Sequence, residues 1–305
     1  MVSLRQLRKL NILLAVDGSE HSLAATQFLY DLPLPNGSTI TLLAVLIPRD
    51  ASGHAALESA LDQSKEMIET KGLQVSAELL TGYPSEELTQ YADQHPPDLM
   101  VLGAKGLRAT LGIMLGGVVQ QVVEYATWPV LVVRAPYSGI QRVLLITDGS
   151  RSSQRALEYL AGFSLPPKVE IRLLHVLPPI PSPAFIARTW PVGSETISPL
   201  PSYETEKILS RQAEEEERGG QSLLDQTVKM LQGYGVEATS VLLRGDAATE
   251  IIEYVKAHQI DLIIAGARGL SPMKRLLLGS LTRKLIHYAG CSVLVVKGGD
   301  HGANR

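Results

Sequence analysis

The chain has a single cysteine, Cys291, in 305 residues. One thiol excludes a disulfide framework and suits a reducing compartment. Its position at the start of an apolar run makes it a small core residue. Charge of one sign is also lacking: 28 Lys and Arg face 31 Asp and Glu, for a net charge of −3. That balance gives no reason to expect nucleic acid or an anionic membrane as a partner. Long hydrophobic runs are missing too. The apolar run Ile12 to Val16 follows basic residues but ends at Asp17, too short for a signal segment or a membrane span. A soluble cytoplasmic protein is expected. Several chemical signatures are absent. No Gly-x-Gly-x-x-Gly follows either first strand, and no Gly-x-x-x-x-Gly-Lys-Ser/Thr occurs. The seven histidines show no metal-ligand spacing. No Gly-x-Ser-x-Gly elbow and no nucleophile with its base can be found.

What is present occurs twice. Gly103-Ala-Lys-Gly106, nine residues, then Gly116-Gly117 recurs as Gly266-Ala-Arg-Gly269, nine residues, then Gly279-Ser280. Asp17-Gly-Ser19 recurs as Asp148-Gly-Ser150, and Leu42-Leu-Ala-Val45 as Leu173-Leu-His-Val176, both at an offset of 131. Leu79-Leu-Thr-Gly82 recurs as Leu242-Leu-Arg-Gly245 at an offset of 163, which the Gly-rich loops keep. The second half therefore gains 32 residues between Val176 and Leu242. A repeat this long is a domain per copy. The length fits two domains, divided as 1–136 and 137–305, with a proline-rich insertion over about 178–210.

Each copy alternates short Leu/Ile/Val strands with helix-like stretches. Strands are expected at 11–17, 39–47, 74–81, 98–103 and 129–134, with helices at 20–31, 54–71, 84–94 and 117–127. Half two has strands near 141–147, 168–177, 236–244, 260–266 and 292–297. Continuous apolar strands alternating with helices give an α/β fold with a parallel sheet buried on both faces. Two open five-stranded sheets ordered 3-2-1-4-5 are expected. The linker 135–140 is short, so the halves should pack together. Between Leu177 and Ser202 seven prolines forbid a regular element. Tyr203 to Leu231 reads as helix, with a break or kink expected at Gly219-Gly220. The insertion reads first as a solvated helix and a disordered surface loop; the alternative is a lid or partner-docking segment, toward which Trp190 points.

Three features per half carry the chemistry. Asp17 and Asp148 end the first strands, where a carboxylate can accept hydrogen bonds from a ribose or base, or serve a cap or turn. Gly103/Gly106 and Gly266/Gly269 follow the fourth strands, where the backbone can approach a ligand or take a tight turn. Gly116-Gly117 and Gly279-Ser280 open the fourth helices, where N–H groups favour phosphate. In a 3-2-1-4-5 sheet, strands one and four flank the switch point, and both motifs converge there. Lys105, Arg108, Arg268, Lys274 and Arg275 lie in or near these loops and are candidates to neutralise phosphates.

These residues resemble the universal stress protein family in its tandem-domain form. The Asp-Gly-Ser, the Gly-x-x-Gly-x9-Gly-Ser and the terminal Pro-Val-Leu-Val-Val carry the resemblance, which covers nearly all of the chain outside the insertion. It implies an adenine nucleotide alpha hydrolase-like fold and ATP as cofactor, with Mg2+ carried on the phosphates. In half two Asp148 would contact the nucleoside and the Val176 backbone the adenine edge. Gly266 and Gly269 would line the ribose and phosphates, and Gly279 and Ser280 would hold the terminal phosphates. Half one matches at Asp17, Val45, Gly103, Gly106 and Gly116. It departs at Gly117, where the hydroxyl of the family pattern is lost, so the resemblance implies tighter binding in half two. A pseudo-dimer of the halves is expected, its seam the last strands Val130–Val133 and Val293–Val296, which would otherwise be exposed apolar edges and should meet antiparallel across an approximate two-fold; a homodimer is a further expectation. The functional expectation is a cytoplasmic ATP-binding stress or regulatory protein, with nucleotide as a conformational ligand and at most slow hydrolysis. The competing expectation is a scaffold that acts through oligomerisation or the proline-rich insertion without nucleotide.

Overall fold

The computed structural model describes residues 9–48, 53–107, 115–182, 202–269 and 278–298. In half one the elements are β1 (Asn11–Ala15), α1 (Glu20–Asp31), β2 (Thr39–Leu46), α2 (His54–Glu69), β3 (Gln74–Thr81), α3 (Pro84–Gln94), β4 (Leu99–Gly103), α4 (Gly117–Tyr125) and β5 (Val130–Val133). Half two follows with β6 (Arg142–Ile146), α5 (Arg151–Gly162), β7 (Glu170–Leu177), α6 (Ser202–Gly233), β8 (Thr239–Arg244), α7 (Ala247–Ala257), β9 (Leu262–Gly266), α8 (Ser280–Tyr288) and β10 (Ser292–Val296).

The local sequence explains where the helices start. Ser19 and Ser150 cap α1 and α5, accepting from the N–H groups of Ser22 and Ser153. The preceding Gly18 and Gly149 sit at φ +77° and +76°, a region that glycine enters without strain. Pro84 opens α3, where its missing N–H costs nothing. Asp246 caps α7 through the Thr249 N–H.

The ten strands form one sheet in the order β3-β2-β1-β4-β5-β10-β9-β6-β7-β8. Each half keeps the order 3-2-1-4-5. The two sheets are continuous because β5 and β10 pair antiparallel, with Val132 opposite Val293, Leu131 opposite Leu294 and Val130 opposite Val295. All other pairings are parallel. A strand edge this apolar would template association if left open. Pairing buries Val130 to Val133 to 1% exposure or less. At about 1.5–3 kcal/mol per buried aliphatic side chain, the seam is a main source of cohesion between the halves.

Side-chain alternation divides the interior into two cores that each run through both halves. Ile12 and Leu14 join Phe28, Leu61, Leu157 and Leu224 on one face. Leu13 joins Leu88, Val122, Ile251 and Leu285 on the other. The linker is packed: the Tyr137 ring meets Phe28 at 5.4 Å and its hydroxyl donates to Asp31 at 2.7 Å. Cys291 is buried, and burial pushes its thiol up to about 12, so it is an inert core residue as read from the sequence.

One expectation is corrected. The helix α6 runs unbroken through Gly219 and Gly220. A Cβ on Gly220 would lie 2.9 Å from Leu242 and 3.0 Å from Leu177, so this glycine seats the helix on β7 and β8. Tertiary packing overrides the roughly 1 kcal/mol propensity cost of a helical glycine. The counterpart of α2 in half two is the C-terminal part of α6, since Gly72 and Gly235 end the two helices in matching positions. The remainder of α6 is an N-terminal extension. Arg244 fixes it, donating to the Ala213 carbonyl at 3.0 Å and to Glu216 at 2.6 Å, and also to the Pro178 carbonyl at 3.0 Å. Most of the proline-rich insertion, Trp190 included, lies outside the described residues.

Candidate functional site

Past the carboxyl ends of β1 and β4 lies a cavity of about 680 Å³. Asp17, Val45, Gly103, Gly106, Gly116 and Gly117 line it. The size falls within the ordinary range of small-molecule sites.

Asp17 holds the site's two loops together. Its Oδ1 accepts from the Ser19 N–H at 3.0 Å and its Oδ2 from the Leu107 N–H at 3.1 Å. Ser19, which caps α1, also donates its hydroxyl to the Lys105 carbonyl at 3.0 Å. The β1–α1 turn is thereby tied to the Gly-x-x-Gly loop. Each carboxylate oxygen has two lone pairs, so Asp17 keeps acceptor capacity toward the cavity. A Cβ on Gly106 would lie 2.5 Å from Asp17 Oδ2. Glycine at this position is what lets the carboxylate stand there.

Backbone geometry decides where the polar groups of Val45 point. In a parallel strand the polar groups of alternate residues face the same neighbour. Leu43 accepts from the Val16 N–H, so it faces β1. Leu46 accepts from the Gly82 N–H, so it faces β3. Val45 therefore turns its N–H and C=O toward β1, beyond the point where the first strand turns away at Asp17. Those groups face the crevice. Half two repeats the arrangement: Leu174 accepts from Thr147, Leu177 accepts from Gly245, and Val176 lies between them.

The paired glycines divide in role. Gly103 lines the cavity, but a Cβ there would lie 2.6 Å from the His21 carbonyl carbon. Gly266 would likewise meet Ser152 at 2.5 Å. Both permit a strand end to abut the first turn of a helix, so their main constraint is packing rather than ligand space. Gly116 and Gly279 are the N-caps of α4 and α8, and their own N–H groups donate to Ala104 and Ala267. Gly117 and Ser280 are the first helical residues, and a Cβ on Gly117 would meet open space.

Half two brings its candidates together in the same frame. A Cβ on Gly269 would lie 2.6 Å from Asp148 Oδ2, and Asp148 Oδ1 accepts from Ser150 at 3.0 Å. The turn residue Gly149 is covered by Leu223 of α6, where Ala60 of α2 covers Gly18 in half one. His175 donates from Nδ1 to the Thr147 carbonyl at 2.9 Å and packs beneath Gly220. Of the basic residues, Lys105 lines the half-one cavity, while the Arg268 N–H donates to Ser152 Oγ at 3.1 Å. Arg108, Lys274 and Arg275 lie outside the described residues. Among the described residues no cluster of His, Cys, Asp or Glu could hold a metal ion.

Two histidines near the cavity were not singled out by motif. His21 accepts from the Ala135 N–H at 2.8 Å, and burial, then the charge of Lys105, lower its titration below the usual range. An accepting Nδ1 requires that ring nitrogen to be unprotonated. His287, from α8 of half two, lines the half-one cavity. Local sequence gives no sign of this, because only the pairing of β5 with β10 brings α8 there.

A family model described as the universal stress protein family matches residues 10–134 and again 139–297. A universal stress protein of Mycolicibacterium smegmatis is 25% identical over 313 residues, covering 94% of this chain and 96% of its own. One from Methanocaldococcus jannaschii is 30% identical over 157 residues, covering 52% of this chain and 82% of its own. Among solved structures, a universal stress protein from Archaeoglobus fulgidus aligns over 95% of this chain and 98% of its own, with a TM-score of 0.65 and 21% identity. No helix among the described residues is long and apolar enough to cross a membrane.

Proposed function

The chain belongs to the universal stress protein family, in tandem form, and on that premise we propose that it binds an adenine nucleotide in the half-one cavity. The domains divide at 136/137. The nucleotide is ATP, accompanied by Mg2+ on its phosphates, and it acts as a conformational ligand in a cytoplasmic regulatory protein. The observation that carries this reading is the convergence of Asp17, the Val45 backbone and the start of α4 on one cavity of about 680 Å³. Asp17 would accept from the ribose hydroxyls, and the Val45 N–H and C=O would meet the adenine edge. The α4 N-terminus, with Lys105 beside it, would hold the phosphates. Half two carries the same frame, with Ser280 adding a hydroxyl.

Ligand that binds only the native state raises its stability. At free ATP about 100-fold above its dissociation constant the gain is about 2.7 kcal/mol. The melting temperature should rise by several degrees with millimolar MgATP, and heat-denatured protein should release adenine nucleotide on chromatography. No shift and no released nucleotide would favour the scaffold alternative.

A further inference from the structure

The half-one cavity is completed by a residue of half two. His287 sits on the last turn of α8, beside Leu115 and Gln120 of half one. Arg134, the residue after β5, fixes that turn by donating from Nη2 to the carbonyls of Ile286 at 2.7 Å and His287 at 3.0 Å. The arrangement is one arm of the pseudo-two-fold. At the offset of 163, Lys297 matches Arg134, and it donates to the Glu124 carbonyl at the end of α4. The same offset matches His287 with Glu124 and Arg283 with Gln120.

The two arms differ in chemistry. Half two meets the Glu124 carboxylate, which its own Arg283 binds through one nitrogen at 2.9 Å to both oxygens. Half one meets an imidazole at the matching position, and that imidazole borders the cavity. Gln120 lies one residue short of a turn after Gly117, on the helix whose N-terminus would hold the phosphates.

We propose that His287 completes the half-one nucleotide site from the other half, contacting the terminal phosphates of a nucleoside triphosphate seated at the start of α4. This rests on the nucleotide reading above and adds selectivity for polyphosphate over monophosphate or nucleoside. Along α4 the distal phosphates would lie on the side that His287 borders, whereas adenosine would be held by Asp17 and the Val45 backbone within half one. Burial, followed by the charges of Arg134 and Arg283, holds the imidazole below its usual titration range. At neutral pH it is uncharged and has one N–H to donate.

The test uses the full chain carrying Ser280→Asp, whose charge closes the half-two phosphate position, titrated by calorimetry with ATP, AMP and adenosine. His287→Ala should weaken ATP roughly tenfold, as expected for losing a hydrogen bond to a charged group, and leave adenosine unchanged. His287→Gln should recover most of the loss. In protein labelled with 15N-histidine, ATP should shift the His287 ring resonances and adenosine should not. Gly117→Asp serves as the reference variant: its Cβ enters open space and an acidic first turn favours the helix, yet its charge repels phosphate. If Gly117→Asp abolishes the remaining ATP binding while His287→Ala binds ATP like the Ser280→Asp parent, the role of His287 is overturned and the site stands. Equal weakening of ATP and adenosine by His287→Ala would also overturn it. If adding Gly117→Asp leaves ATP binding intact, or the Ser280→Asp chain binds none, the site and this inference fall together.

Discussion

Gly117 and Ser280 occupy matching positions, each the first residue of its helix, and Gly117 lines the half-one cavity. The difference between them is one hydroxyl. Because a Cβ on Gly117 would meet open space, Gly117→Ser should fold normally and supply that hydroxyl. A hydrogen bond to a charged phosphate is worth about 1.5–3 kcal/mol, so ATP affinity in half one should rise tenfold or more by calorimetry, and Ser280→Gly should lower that of half two. No change in either would remove the hydroxyl from the account. Gly103 and Gly266 behave differently. Valine at either meets helix backbone, so its expected effect is lost stability, read as a lower denaturation midpoint with or without ligand. The sequence exposed these glycines as a repeated motif, but not their division of labour. Spacing gives the positions of Gly103 and Gly106, and only the packing tells which faces a helix and which faces the Asp17 carboxylate.

At the scale of elements, α6 is the main departure between the halves. Strands and most helices were legible because apolar runs and Ser caps recur in both copies. The continuity of α6 was not, because two adjacent glycines read locally as a break. Their surroundings separate them: a Cβ on Gly219 would meet nothing within 4 Å, whereas one on Gly220 would press on Leu242, Leu177 and His175. Gly219→Ala should therefore stabilise the protein by about 1 kcal/mol through helix propensity. Gly220→Val should destabilise it by about 1–3 kcal/mol through overpacking. Chemical denaturation distinguishes the two signs. Equal stabilisation by both would mean that α6 does not sit tightly on β7 and β8.

For the whole molecule, the duplication predicted the seam, since equivalent last strands can meet about a two-fold only in antiparallel fashion. The side-chain traffic across it lay beyond the motifs, because Arg134, His287, Glu124 and Lys297 each act on the other half. Lys297 gives this interface a pH signature. Burial is the main cause of its lowered pKa, about 8 against an ordinary 10.5, with Arg268 acting in the same direction and Glu124 opposing. Between those values the unfolded chain binds more protons than the folded one, so this group makes stability rise with pH there. Below about 8 its full destabilising effect is present. Relative to Lys297→Met, the wild type should gain stability, on the order of 3 kcal/mol, as pH rises from about 8 to 10.5; a flat difference would contradict the buried cation. The central claim is that the half-one cavity is a nucleotide site built on the start of α4. Its most direct measurement is the calorimetric titration of ATP into Ser280→Asp protein, in which the half-two phosphate position carries a repelling charge. The account predicts that about one equivalent of ATP still binds per chain and that adding Gly117→Asp abolishes it. Complete loss of binding with Ser280→Asp alone, in protein that remains folded, would contradict the account.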